Sequence, residues 1–124
     1  MKKKKIVIAE DDEVIVEILR EGLEGYEIYS ALNGREALEL IQKEMPDLII
    51  ADVMMPEMNG VELNRRLKRE PGLCQIPVVI ITAKPDMQKH FSCVGENEVA
   101  GFLEKPFTIE VLQEEIKRNL EKAD

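Results

Sequence analysis

Cysteine, histidine, positive charge and long apolar runs are all scarce in this chain. Its two cysteines, Cys74 and Cys93, stand in no CxxC or Cys/His spacing, so neither a disulfide framework nor a thiolate metal site is expected. They read as structural or incidental thiols in a reducing compartment. The one histidine, His90, reads as a solvent-exposed side chain with no catalytic or metal role. No apolar stretch approaches the ~18 residues needed to cross a bilayer, and none follows the basic run at residues 2–5 as a secretory signal would require. Lys and Arg number 17 against 25 Asp and Glu, a net charge of −8. That sign repels nucleic acid and anionic lipid. Direct nucleic-acid binding and membrane association are therefore not expected, the lysine run reads as a solvated lead-in to the first strand, and the expected setting is cytoplasmic. Internal repeats, low-complexity segments and interdomain linkers are also missing.

What is there suffices for one domain. A chain of 124 residues buries roughly two-thirds of the surface its unfolded form exposes, and residues 1–124 are read as a single domain. Short runs at Ile6–Ala9, Ile28–Ala31, Leu48–Ala51, Val78–Ile81 and Gly101–Leu103 predict strands. Between them, apolar residues fall three and four apart. Ile15, Ile18, Leu19 and Leu23 predict one amphipathic helix; Ala37, Leu38 and Ile41 a second; Val61, Leu63 and Leu67 a third; Ile109, Leu112, Ile116 and Leu120 the last. A weaker helical pattern, Met87, Phe91 and Val94 within Asp86–Gly95, is crowded by Gly95, Asn97 and Gly101. Asn33 with Glu36 resembles a capping box, and Thr108 is placed to cap the last helix.

Strands alternating with helices, two central runs being apolar on both faces, predict an α/β fold: a doubly wound five-stranded parallel sheet with helices on each side. Right-handed crossovers put every strand's carboxyl end on one edge, where such sheets bind ligands. That edge would collect Glu10, Asp11, Asp52, Thr82 and Lys105. Carboxylates ~4 Å apart repel by about 4 kcal/mol at a near-surface dielectric. A divalent cation relieves this, and magnesium, which favours oxygen ligands and a substrate phosphate, suits Glu10, Asp11 and Asp52. Lys105 supplies a fixed cation, the Thr82 hydroxyl can bond a phosphoryl oxygen, and the Asp52 carboxylate can accept phosphate as an aspartyl phosphate. Each residue alone has a bland reading. Glu10 to Glu13 could be a helix-start charge run favoured by the macrodipole, Asp52 a strand end, Thr82 a β-former, Lys105 a surface lysine. Coincidence at all these positions favours a site, with Asp12 and Glu13 left as helix-capping residues.

At these same positions the chain resembles the receiver domains of two-component response regulators, of the chemotaxis-regulator type. The resemblance covers essentially the whole length: Glu10-Asp11, then Ile50-Ala51-Asp52-Val53-Met54-Met55-Pro56 with Gly60, then Thr82, Phe102 and Lys105-Pro106-Phe107. It implies a flavodoxin-like (βα)5 fold with strand order 2-1-3-4-5. Asp52 would be the phosphoacceptor, with Mg2+ (Mn2+ substituting) held by Glu10, Asp11, Asp52 and the Met54 backbone carbonyl. Thr82 and Lys105 would bind the phosphoryl group, and Thr82 and Phe102 would be the switch pair, although Phe102 on sequence grounds reads equally as core. The Lys105–Pro106 bond would be cis, and Met54 and Lys84 would tune dephosphorylation. The implied donor is a sensor histidine kinase or histidine phosphotransfer protein. The domain would be a signalling phosphoacceptor, not an enzyme, and its output partner is unspecified. The surface expected to switch is the face of the fourth and fifth helices and fifth strand, but residues 86–100 depart from the family pattern, so its dimerisation mode and partner do not carry over; a stand-alone receiver and one belonging to a longer regulator or hybrid kinase both stay open. Two other classes remain: a pseudo-receiver that only binds, and a haloacid-dehalogenase-type phosphatase, which carries a second Asp two positions after the nucleophile where this chain has Met54.

Overall fold

The computed structural model describes residues 3–83 and 98–122. In chain order they form β1 (Lys5–Ala9), α1 (Glu13–Gly22), β2 (Glu27–Ala31), α2 (Gly34–Glu44), β3 (Leu48–Asp52), α3 (Gly60–Arg69), β4 (Val78–Thr82), β5 (Gly101–Glu104) and α4 (Ile109–Lys122). The strands form one sheet in the order β2-β1-β3-β4-β5, and every ladder is parallel. The predicted strand order and fold class are thus those observed. The weak helical pattern over 86–95 lies outside the described residues, as do Lys84, His90 and Cys93.

Strand side chains alternate faces, and the alternation divides the core in two. Val7, Ala9, Ile49, Ala51, Val78 and Ile80 pack with Ala37 and Ile41 of α2 and Leu63 and Leu67 of α3. Ile6, Ile8, Leu48, Ile50, Val79 and Ile81 face the other way and pack with Val16 and Leu19 of α1 and Leu112, Ile116 and Leu120 of α4. Both β3 and β4 are buried along their full length, which is why their sequences are unbroken apolar runs rather than alternating ones. Each fully buried Ile or Leu here contributes roughly 1.5–3 kcal/mol.

One predicted stripe is corrected. In α1 the buried positions are Val16, Leu19 and Gly22, whereas Ile18, expected in the core, is 41% exposed. The sheet sees a face running Val16, Leu19, Leu23; Ile18 is rotated ~100° from Leu19 at 3.6 residues per turn and so turns outward. Periodicity alone could not separate these two phases, because residues 14, 15, 16, 18 and 19 are all apolar.

Helix starts follow local hydrogen bonding. Asp12, Asn33 and Asn59 cap α1, α2 and α3, their side chains accepting from the backbone N–H groups of Val14, Glu36 and Glu62. Thr108 Oγ1 accepts from Val111 N–H at 3.2 Å at the head of α4. The end of α2 is less comfortable. Met45 closes it in the left-handed region, φ 49°, ψ 64°, a conformation that costs a non-glycine residue about 1 kcal/mol. Its side chain is largely exposed and contributes little packing. Met45→Gly is therefore expected to raise stability by about 0.5–1 kcal/mol and the melting temperature by roughly 2–5 °C, measured by thermal and urea unfolding; an unchanged or lower midpoint would contradict the strain argument.

Candidate metal and phosphate site

The parallel registers end together. Ala9 pairs with Ala31 and Ala51, Asp52 with Ile81, and Thr82 with Glu104, so the residues that follow converge on one edge. Glu10 continues the line of β1 by one step, its N–H donating to Ala31 O at 3.0 Å. Its side chain is fully buried. Oε2 accepts from Asp12 N–H at 3.0 Å, and Oε1 accepts from the Lys105 ammonium at 2.7 Å. Asp52, the last residue of β3, keeps 5% of its surface exposed. Oδ1 accepts from Met54 N–H at 3.2 Å and Oδ2 from the same Lys105 ammonium at 3.1 Å.

Lys105 follows β5, and its N–H donates to Thr82 O at 2.8 Å, tying the ends of β4 and β5 together. The peptide bond from Lys105 to Pro106 is cis. Thr82 is buried at the end of β4. Phe102 pairs with Ile80 in the ladder and is partly buried against the α2–α3 side of the core. Thr82 lies two residues after Ile80, so strand alternation puts Thr82 and Phe102 on the same face. Asp11 is exposed, and Met54 is half exposed, at 52%. Lys84 lies outside the described residues.

Carboxylate oxygens of Glu10, Asp11 and Asp52 all lie within 4.8 Å of one another. Three hard oxygen donors at that separation match what a divalent cation such as Mg2+ takes from protein, the remainder of its shell being water and phosphate. In the described arrangement the single positive charge of Lys105 is shared between two of those carboxylates. Burial pushes the Glu10 carboxyl up to about 7, Asp52 adding to the rise while Lys105 and the Asp12 N–H pull it back. Burial works against the Lys105 cation, but its hydrogen bonds to Glu10 and Asp52 and their charges outweigh it, leaving the ammonium above its ordinary range.

Two backbone donors at the site carried no role in the sequence reading. Met54 N–H orients Asp52, and Asp12 N–H orients Glu10. Both are contacts from a side chain to the N–H two residues on; for Asp52 this is the local turn geometry that aspartate favours, whereas the longer Glu10 side chain left no such signal in the sequence. The start of α3 also crowds the site. A Cβ on Gly60 would fall 2.5 Å from the Asp52 carbonyl oxygen, while Gly60 N–H donates to Val53 O at 3.0 Å. Only glycine allows that approach.

The pH consequence has a definite sign. An acid whose folded pKa lies above its ordinary 4.5 binds its proton better when folded, so its stabilising contribution is complete below about 4.5 and is lost as pH rises through about 7. In the metal-free protein the Glu10 carboxyl carbon resonance is expected to titrate with a midpoint near 7; a midpoint in the ordinary carboxylate range would contradict this.

Known proteins place the chain. The pattern described as "Response regulator receiver domain" matches residues 6–117. The transcriptional regulatory protein CrdR of Helicobacter pylori is 40% identical over 120 residues, covering 94% of this chain and 54% of that protein. The polar-differentiation response regulator DivK of Brucella anthropi is 34% identical over 122 residues, covering 94% of this chain and 96% of DivK. The chain thus spans about half the length of CrdR and nearly all of DivK. The signal receiver domain of a signal transduction histidine kinase from Syntrophus aciditrophicus superposes with a TM-score of 0.85 at 38% identity, covering 96% of this chain and 91% of that one. This chain belongs to the response regulator receiver domain family of two-component systems.

Proposed function

We propose that Asp52 accepts a phosphoryl group from a phosphohistidine on a sensor kinase or histidine phosphotransfer protein, and that this event switches a partner-binding surface. The observation that carries the reading is the meeting of Lys105 with Glu10 and Asp52, 95 and 53 positions away in sequence, at 2.7 and 3.1 Å. Residues 1–124 act in this reading as one receiver domain in the cytoplasm.

Glu10, Asp11, Asp52 and the Met54 carbonyl would hold Mg2+, or Mn2+ in its place. When bound, the cation supplies positive charge that offsets the oxygens of the transferring group. The protein does the rest by position. Met54 N–H on Oδ1 leaves Asp52 with a fixed orientation, so one carboxylate oxygen can attack phosphorus in line. The P–O bond to Asp52 forms as the P–N bond breaks, and the electron pair returns to the imidazole, which takes up a proton. Lys105, already between the carboxylates, turns its N–H groups to a phosphoryl oxygen. One group is taken per Asp52, so the domain is a phosphoacceptor rather than a catalyst with turnover.

A phosphorylated aspartate carries about −1.5 to −2 of charge in place of the single charge of the carboxylate. The Thr82 hydroxyl would donate to it, and Phe102, on the same sheet face, would move into the space Thr82 vacates. The surface altered would be that of β5, α4 and the predicted helix over 86–95, which lies outside the described residues, and an output partner or attached domain would read it. Met54, half exposed two residues from Asp52, would shield the acyl phosphate from water, with Lys84 as a second tuning position.

Incubation with acetyl phosphate and Mg2+ should put a single hydroxylamine-sensitive label on each chain and none on Asp52→Asn. Release of many phosphates per chain with no label accumulating on Asp52 would instead indicate a phosphatase, and absence of both label and turnover a pseudo-receiver; either result overturns the proposal. On the labelled protein, Met54→Asn should speed loss of label several-fold by admitting and orienting water. An unchanged lifetime would remove Met54 from that role.

A further inference from the structure

Between Asp52 and α3 the backbone runs through an irregular segment, residues 53–59, that carries the Met54 carbonyl. A strand ladder holds only its first residue, Val53 N–H donating to Ile81 O at 3.2 Å. Met55 and Met58 are buried in the α2–α3 side of the core, Met58 N–H donates to Pro56 O at 2.7 Å, and Glu57 sits at φ 64°. Gly60 secures one end against Asp52, as described above. The other side of the segment rests on the first turn of α2. There a Cβ on Gly34 would fall 2.1 Å from the Met58 carbonyl oxygen and 2.8 Å from its carbonyl carbon and Cβ. Contacts this short do not occur between real atoms, so any side chain at 34 forces one partner away. The next residue binds the same two segments, Arg35 Nε lying 3.6 Å from Glu57 Oε1.

Which partner would move follows from how each is held. The start of α2 is fixed by the Asn33 cap on Glu36 N–H at 2.8 Å, and its body by Ala37 and Ile41, both fully buried. Displacing α2 means shifting eleven residues as a body against a packed sheet. The 53–59 segment can deform locally. A Cβ at 34 therefore lifts the segment, and its effect reaches Met54 and the orienting N–H on Asp52.

We propose that Gly34 is a positioning residue for the cation site: its missing side chain lets the Met58 carbonyl lie against α2, and that contact sets where the 53–59 segment presents Met54. The inference rests on the metal reading given above. Mg2+ requires near-ideal octahedral geometry with ligands at about 2.0–2.1 Å, so a displacement on the order of 1 Å is enough to lose a ligand. Gly34 touches no ligand itself.

The test is Mg2+ titration of the full chain followed by amide resonances, in the wild type, in Gly34→Ala, and in Gly72→Ala as a control, since a Cβ at Gly72 meets nothing within 4 Å. Circular dichroism and thermal unfolding confirm that each variant is folded at the titration temperature. A merely structural role would lower the melting temperature without altering Mg2+ affinity of the folded fraction. The expected result is affinity weakened at least about fivefold in Gly34→Ala, with a smaller Met54 amide shift at saturation, and unchanged in Gly72→Ala. Equal affinity in folded Gly34→Ala and wild type overturns the proposal. Should Gly34→Ala not fold, the wild type decides: the Gly34 amide must shift with the same Mg2+ midpoint as Met54, and a stationary Gly34 resonance overturns it. Failure of the wild type to bind Mg2+ is a separate outcome, visible without any variant, that removes the metal reading and this inference with it.

Discussion

A single ammonium holds two buried carboxylates at the head of this sheet. Glu10 has no exposed surface and Asp52 almost none, and placing either charge there without a partner would cost several kcal/mol. Lys105 lies within hydrogen-bond distance of both and makes their burial tolerable. It also ties the end of β5 to those of β1 and β3, strands that it does not neighbour in the sheet. Arrangement of the strand ends and chemistry of the site are thus set by the same three side chains. The group that meets both carboxylates in the described state is the one that, in the proposed transfer, would turn to a phosphoryl oxygen.

The backbone around the site is held with comparable care. Side-chain oxygens of Asp52 and Glu10 each take the N–H two residues further on, which adds a backbone donor on each carboxylate to the one from Lys105. Glycines at 34 and 60 let a helix start approach the loop from each side. Packing of α2 and α3 on one sheet face therefore reaches the site through backbone contacts. This is a route by which substitutions in a helix start would alter the geometry of the proposed cation site without touching its residues.

Much of this was legible in the sequence. Strand positions followed from short β-branched runs, and the burial of β3 and β4 on both faces from the absence of alternation in Leu48–Ala51 and Val78–Ile81. Asp12, Asn33 and Thr108 stood where caps belong. The phase of α1 was not legible. Its many adjacent apolar residues fit several faces, and only the sheet it packs on selected Val16 over Ile18. The contact between Gly34 and Met58 left no local trace either, since a glycine beside a helix cap reads as an ordinary helix start until another segment is seen to lie against it.

By itself the sequence determined the elements, their parallel arrangement and the list of residues at the strand ends, because periodicity, capping and crossover handedness are local or statistical properties of a chain. Only tertiary structure decided which of those residues meet and in what electrostatic state. Distances of 2.7 and 3.1 Å to one ammonium, the rise of the Glu10 carboxyl to about 7 and the close approach of Met58 to α2 depend on register and burial. These are set when the whole sheet and both helical layers assemble, and no neighbouring residue along the chain encodes them.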